Sequence, residues 1–199
     1  MFNAKPCKNK TCESLSVTDR DFCIEHIDDK ENYILSIVER INNTKVVKDF
    51  NLSGIHFKGV DFSDKTFITC NFSGATLENV NLSKTTIRLS FFDFSTIHDT
   101  SFSQTDMLDN VFAGSFIEKC DFRGSEILHT NFNGCHIAET PFSDSDLYYS
   151  RFVNANLQKV EFIDCNLKKV YFLNILEDQV RFKYSNHEEA IFSWKGQKE

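Results

Sequence analysis

The chain has no run of ~18 consecutive apolar residues, the length a membrane-spanning helix needs, so no transmembrane segment is expected. Its first residues also lack the apolar stretch of a secretory leader, which leads to the expectation of a cytoplasmic protein. Basic residues are too few to balance the acidic ones: 22 Lys and Arg stand against 29 Asp and Glu, for a net charge of −7. That balance speaks against nucleic acid or an anionic membrane as a direct partner. The usual signatures of catalysis are missing as well. No glycine-rich loop opens a helix, there is no nucleophile elbow, and no helical His-Glu pair offers a hydrolytic metal site. His56, His98, His129 and His136 read as solvated outward side chains, and no enzyme is expected.

What the chain does have is a period. From Leu52 to Phe172 a large apolar residue falls at every fifth position, starting Leu52, Phe57, Phe62, Phe67, Phe72 and ending Phe162, Leu167, Phe172. A helix repeats every 3.6 residues and a strand every two, so neither keeps this register. The chain must bend once per pentad, and a short repeat sustained this long means a solenoid. The residue two before each large one is usually small or β-branched (Cys70, Ala75, Ser95, Thr100, Cys135, Val160), which places both on the inward face of an extended segment. Between them stand mostly polar residues such as Asn51, Asp61 and Asn71, expected to face out. Two residues after the large one come Gly54, Asp64, Gly74, Asn79 and similar types that tolerate tight turns, so each pentad reads as a short strand plus a corner. A second period of ten places Phe at most positions ending in 2 and aliphatics at most positions ending in 7. On a four-sided coil, Phe from two facing walls would stack through the axis while Ile, Leu and Met fill the other two.

Runs such as Cys70-Asn-Phe-Ser-Gly74, Cys120-Asp-Phe-Arg-Gly124 and Ala155-Asn-Leu157 resemble the pentapeptide-repeat proteins. The resemblance implies an all-β solenoid, a right-handed quadrilateral β-helix, over residues 50–174. With about twenty residues per coil it would make about six coils, a rod of roughly 30 Å at the usual strand spacing. The fold serves many unrelated duties and does not name one.

Cys70, Cys120, Cys135 and Cys165 fall on the small inward position, where a thiol acts as a compact hydrophobe. Cys7, Cys12 and Cys23 lie before the repeats and are joined by His26 in a Cys-x4-Cys-x10-Cys-x2-His pattern. Three thiolates and an imidazole suffice for a tetrahedral structural zinc, and residues 1–27 have little core of their own to hold them folded. Unligated surface thiols or a disulfide remain the alternatives. Four ligands would leave no open catalytic position.

A solenoid end needs a cap. Asp28 and Asp29 can start a helix within 28–49 whose Tyr33, Ile34, Ile37, Val38 and Ile41 recur at helical spacing and plug the N-terminal mouth. Residues 175–199 read as a C-terminal cap or dimerisation segment. In it, Asn186-His-Glu-Glu opens a short helix presenting Ile191, Phe192 and Trp194, the contact expected in a homodimer.

Sorting outward residues by a twenty-residue coil stacks Asp106, Glu126 and Asp146 in one column, beside Ile68, Leu108, Leu128 and Tyr148 in the next, with Tyr149 at the edge. Like charges in such a ladder are destabilising, so the pair of columns reads as a partner surface, with an acidic solubilising face as the alternative. Phe91, Phe94, Val111, Val153, Tyr171 and Leu173 form a second apolar group. Two functions follow. One is a protein-interaction scaffold or adaptor. The other is implied by resemblance to the gyrase-protecting, quinolone-resistance members of the family: an acidic DNA mimic that dimerises through its C-terminus and occupies the DNA site of a type II topoisomerase.

Overall fold

The computed structural model describes residues 4–193. In it the pentads wind into a parallel β-solenoid of about 7 turns. Paired strand residues lie twenty apart in the chain: Val46 with Thr66, Thr66 with Thr86, Asp106 with Glu126. Strands Val46–Lys48, Thr66–Ile68, Thr86–Arg88, Asp106–Leu108 and Glu126–Leu128 stack as one five-stranded sheet. A seven-stranded sheet runs from His56–Lys58 to Leu176–Asp178 on the opposite wall. The two remaining walls are held by single parallel bridges, one through Asn51, Asn71, Phe91, Val111 and Asn131, the other through Asp61, Asn81, Ser101 and Asp121.

The bend has a single backbone cause. Every fifth residue from Asp49 to Tyr184 has positive φ, glycine or not: Gly54 at 69°, Leu89 at 51°, Phe94 at 55°, Tyr149 at 63°. The turn-tolerant Gly, Asn and Asp of the sequence pattern therefore mark only some of the corners. Elsewhere Thr69, Lys119 or Glu139 takes the same left-handed conformation, at a cost of roughly 1–2 kcal/mol each. From Asp49 to Lys169 each such corner is tied down by its own N–H, which donates to a carbonyl one coil on, as Leu89 does to Leu108 at 3.1 Å and Asp99 to Glu118 at 3.1 Å.

The large residue of each pentad points to the axis, and the Phe residues form two parallel stacks. Phe72 and Phe92 lie 4.7 Å apart and within 4° of parallel, as do Phe102 and Phe122 on the facing wall. Between the stacks the rings meet edge to face, Phe92 against Phe102 at 6.2 Å and 82°. Both geometries are the favourable ones for aromatic quadrupoles. The small inward residues do more than fill space. Ser125 Oγ donates to the Phe102 carbonyl at 2.9 Å and Ser145 Oγ to that of Phe122 at 2.9 Å. Cys135 Sγ does the same to Phe112 O at 2.9 Å, so the inward thiols act as serine analogues as well as compact hydrophobes. No buried side-chain N or O among the described residues lacks a hydrogen-bond partner.

At the N-terminal end, helix α1 (Lys30–Asn42) is capped by Asp29, whose carboxylate accepts from Asn32 N. It lays Tyr33, Ile37 and Ile41 into the same core as the first Phe residues. Asn51 and Asn71, expected to face out, are buried: Ser16 and Thr18 bond to Asn51, and the two amides bond to each other at 2.8 Å.

At the other end the coils run past 174. Glu161 bridges Arg181, Tyr171 bridges Ile191, and Phe182 and Phe192 stack on Phe162 and Phe172. The expected helix after Asn186 is a single 3-10 turn, His187–Glu189. Asn186 is not free to cap it: its side chain accepts from Leu167 N at 2.7 Å and donates to Asn166 Oδ1 at 3.2 Å, closing the last coil. Among the described residues no helix is long and apolar enough to cross a membrane.

Candidate metal centre and interaction face

The cysteine-rich head is a tight knot of backbone bonds. An antiparallel bridge joins Pro6 to Leu15, Cys7 N donates to Ser14 O at 2.9 Å, and Lys8 N donates to Asp21 O at 2.9 Å. A 3-10 turn, Ile24–His26, follows directly on Cys23 and swings His26 back. These turns bring one donor atom from each of Cys7, Cys12, Cys23 and His26 within 4.8 Å of one another. Cys12 Sγ lies 3.8 Å from Cys23 Sγ, Cys7 Sγ 3.6 Å from His26 Nδ1, and Cys23 Sγ 3.2 Å from His26 Nδ1. A zinc with Zn–S of about 2.3 Å and Zn–N of about 2.0–2.1 Å at the tetrahedral angle sets S···S at about 3.8 Å and S···N at about 3.6 Å. The Cys12–Cys23 and Cys7–His26 separations match that polyhedron, the Cys23–His26 one is shorter, and the cluster can hold a metal ion. All seven cysteines are free thiols in this structure.

One backbone contact in the cluster suits a bound thiolate. Cys23 N points at Cys7 Sγ at 3.4 Å, the kind of amide contact that orients a metal-bound sulfur. Hydrogen bonding from Ser14, chiefly its backbone, holds the Cys12 thiol below its ordinary value, whereas burial raises that of Cys23. The solenoid cysteines are a different population. Burial pushes Cys70, Cys120 and Cys135 up to about 12 and Cys165 up to about 11, which keeps them protonated and unreactive.

On the solenoid, Asp106, Glu126 and Asp146 stand in one register column, and Leu108 pairs with Leu128 in the next. Tyr148 continues the second column, since its carbonyl accepts from His129 N, the residue after Leu128. Two features of this face went unseen in the sequence. Arg88 lies between Ile68 and Leu108, interrupting the apolar column, and its guanidinium bonds to the Asp106 carboxylate and carbonyl. Asp146 is also engaged, accepting from Tyr148 N at 2.9 Å and Asn166 Nδ2 at 3.0 Å. Glu126 alone of the three acids has no ion pair or hydrogen bond to its side chain among the described residues, and it is exposed. The twenty-residue spacing of Ile68, Arg88 and Leu108 was the signal that could have found the arginine.

Leu108, Leu128 and Tyr148 are half-buried, whereas Tyr149 is exposed on a left-handed corner. Lys169 Nζ sits 3.2 Å from the Tyr148 hydroxyl and 5.6 Å from the Tyr149 ring, adding a cation to the edge of this face. In the second apolar group Phe94 is 73% exposed, but Leu173 is buried. In the last coil Ile191 is half-buried and Phe192 exposed, while Trp194 lies outside the described residues.

Comparison with known proteins bears on the repeats. Residues 115–192 match a family model described as pentapeptide repeat region, and residues 51–88 match one described as pentapeptide repeats (8 copies). No curated protein matches the chain. Among solved structures it is similar to HetL, a pentapeptide repeat protein involved in heterocyst differentiation regulation from the cyanobacterium Nostoc sp.. That likeness has 14% identity and a TM-score of 0.43, and covers 78% of this chain and 95% of that one. It is also similar to a trypsin-treated QnrB1, a plasmid-mediated fluoroquinolone resistance protein, at 19% identity and a TM-score of 0.46, covering 74% of this chain and 76% of that one.

Proposed function

Because this chain belongs to the pentapeptide-repeat family, we propose that it is a non-enzymatic protein-interaction scaffold that presents fixed side-chain columns to another protein. The observation that carries this reading is the register of Asp106, Glu126 and Asp146 alongside Leu108, Leu128 and Tyr148. Columns set by a hydrogen-bonded ladder lose little conformational entropy on association, which favours binding. Within them Glu126 is the unpaired acid, and the exposed Tyr149 flanks the columns at their edge. The test is co-purification of partners with the wild-type chain and with Leu128→Glu/Tyr148→Glu. Partners lost in the variant support the face, and partners retained would move the contact to Phe91 and Phe94.

A second reading, an acidic DNA mimic for a type II topoisomerase such as gyrase, is supported by the same acidic column and by the net charge of −7. The pairing of Asp106 with Arg88 weakens it, since a phosphate mimic gains nothing from a neutralised carboxylate. A supercoiling assay separates the two. If a large excess of protein neither inhibits gyrase nor relieves quinolone poisoning, the mimic is lost.

In the head, the ion bound by Cys7, Cys12, Cys23 and His26 is a structural zinc. Three sulfurs and one nitrogen within 4.8 Å of one another favour this soft-tolerant ion over calcium or magnesium, which take oxygen donors. The exposed Phe192 with Ile191 supports a homodimer contact through the last coil. Phe192→Glu converting a dimer to a monomer in light scattering is the expected outcome, and an unchanged mass would remove that contact.

A further inference from the structure

A repeated coil accounts for its backbone hydrogen bonds by handing them to the coils above and below, and coil one has no coil before it. In the interior of the wall that carries Asn51, Asn71 N donates to Phe50 O at 2.8 Å and Asn71 O accepts from Leu52 N at 2.7 Å. The corresponding groups of Asn51 would face open solvent at a sheet edge. They are instead closed by one residue of the cysteine-rich head. Thr18 N donates to Asn51 O at 3.0 Å, and Asn51 N donates to Thr18 Oγ1 at 2.8 Å.

The Asn51 side chain completes the seal. Its Nδ2 donates to Ser16 O at 2.7 Å, and its Oδ1 accepts from Asn71 Nδ2 at 2.8 Å, which carries the contact into coil two. Ile24, between the ligands Cys23 and His26, reaches the first coil at Gly54. A Cβ on Gly54 would stand 3.0 Å from the Ile24 methyl. Val17 and Ile24 belong to the same continuous core as the solenoid Phe residues.

We infer that the metal site is the clasp of an end cap: zinc on Cys7, Cys12, Cys23 and His26 holds Thr18 and Ile24 against Asn51 and Gly54, so that metal occupancy decides whether this edge of the solenoid is closed. The inference rests on the zinc reading above and adds a function to it. Without the ion, the head's few apolar residues do not keep its turns in place. The N–H and C=O of Asn51 then become an open strand edge able to pair with another chain. Binding and docking are linked, so each must strengthen the other by the same factor.

Two measurements on the full chain test this. Hydrogen exchange is followed over residues 46–55 in the zinc-loaded protein and after chelation. Exchange there should rise on chelation, while the mid-solenoid around Phe112 and Phe132 stays protected. Zinc affinity is then measured by chelator competition for wild type, Thr18→Val and Thr18→Ser. Thr18 ligates nothing, yet Thr18→Val should weaken zinc binding by about tenfold, and Thr18→Ser, which keeps the hydroxyl, should restore it. One zinc per chain with unchanged affinity in Thr18→Val and unchanged exchange at 46–55 would overturn the clasp and leave the zinc site standing. Absence of zinc from freshly reduced wild type would overturn both.

Discussion

Phe94 lies against Gly114, one coil further on: a Cβ on Gly114 would stand 2.8 Å from the Phe94 ring. Both residues occupy left-handed corners, at φ 55° and 70°. The absence of a side chain at Gly114 is what allows an exposed phenylalanine to rest on the next turn, so this corner couples a surface residue to the backbone beneath it.

Gly114→Ala should therefore be more destabilising than a left-handed alanine alone, which costs about 1–2 kcal/mol. In Phe94→Ala/Gly114→Ala the excess should disappear, because the obstructing ring is gone. Urea unfolding of the four proteins measures the coupling. Strict additivity would show that the ring moves aside without cost.

The aromatic stack predicts a large core effect. Phe122 stacks on Phe102 and Phe142 at 4.7 and 4.8 Å and meets Phe112 and Phe132 edge to face. Phe122→Ala should cost about 3–5 kcal/mol, and Phe122→Leu distinctly less. A thermal shift for Phe122→Ala no larger than that of a surface substitution would count against the packing.

Alkaline pH should weaken the fold through its buried thiols. The ordinary cysteine value is 9.0, and burial pushes Cys120 and Cys135 up to about 12. Their stabilising effect is whole below pH 9, where both states hold the proton. It is lost as pH rises from 9 toward 12, because the unfolded chain ionises first. At about pH 10 each such thiol removes about 1 kcal/mol. Cys135→Ser, which keeps the hydrogen bond to Phe112 O, should lose correspondingly less stability between neutral and alkaline pH. An identical loss in both proteins would contradict the assignment.

In the head, purified wild type should carry about one zinc per chain by metal analysis, and Cys23→Ser should carry none. Chelation should leave most of the solenoid signal in circular dichroism intact, because the remaining coils contact only their neighbours.

The Arg88–Asp106 pair is half-exposed, so Arg88→Ala should cost less than about 1 kcal/mol at low salt and still less at high salt. A cost that salt does not reduce would indicate that Arg88 acts through packing over Ile68 and Leu108 instead.

The pentad was enough to place Phe102 on the axis and Asp106 above Glu126, since one register rule propagates through every coil. It also grouped Cys7, Cys12, Cys23 and His26, because donor type and spacing carry that chemistry directly. Other features depended on neighbours distant in the chain. Arg88 was visible at the right spacing but its reach to Asp106 was not, because a long side chain chooses among several acids. Asn51 reads as an outward polar residue, and only the docking of Thr18 buries it. Leu89 and Phe94 are poor corner residues by propensity and adopt positive φ because the ladder on either side leaves no other path.

Periodicity and residue chemistry are local and repeat themselves, so this chain alone dictated a four-walled coil, its phenylalanine axis and a four-donor head. Which ends are covered, which acids are neutralised and how far the coils extend toward Ile191 depended on long-range contacts. Those contacts are made once, between segments whose separation follows no period, and only the folded arrangement sets them.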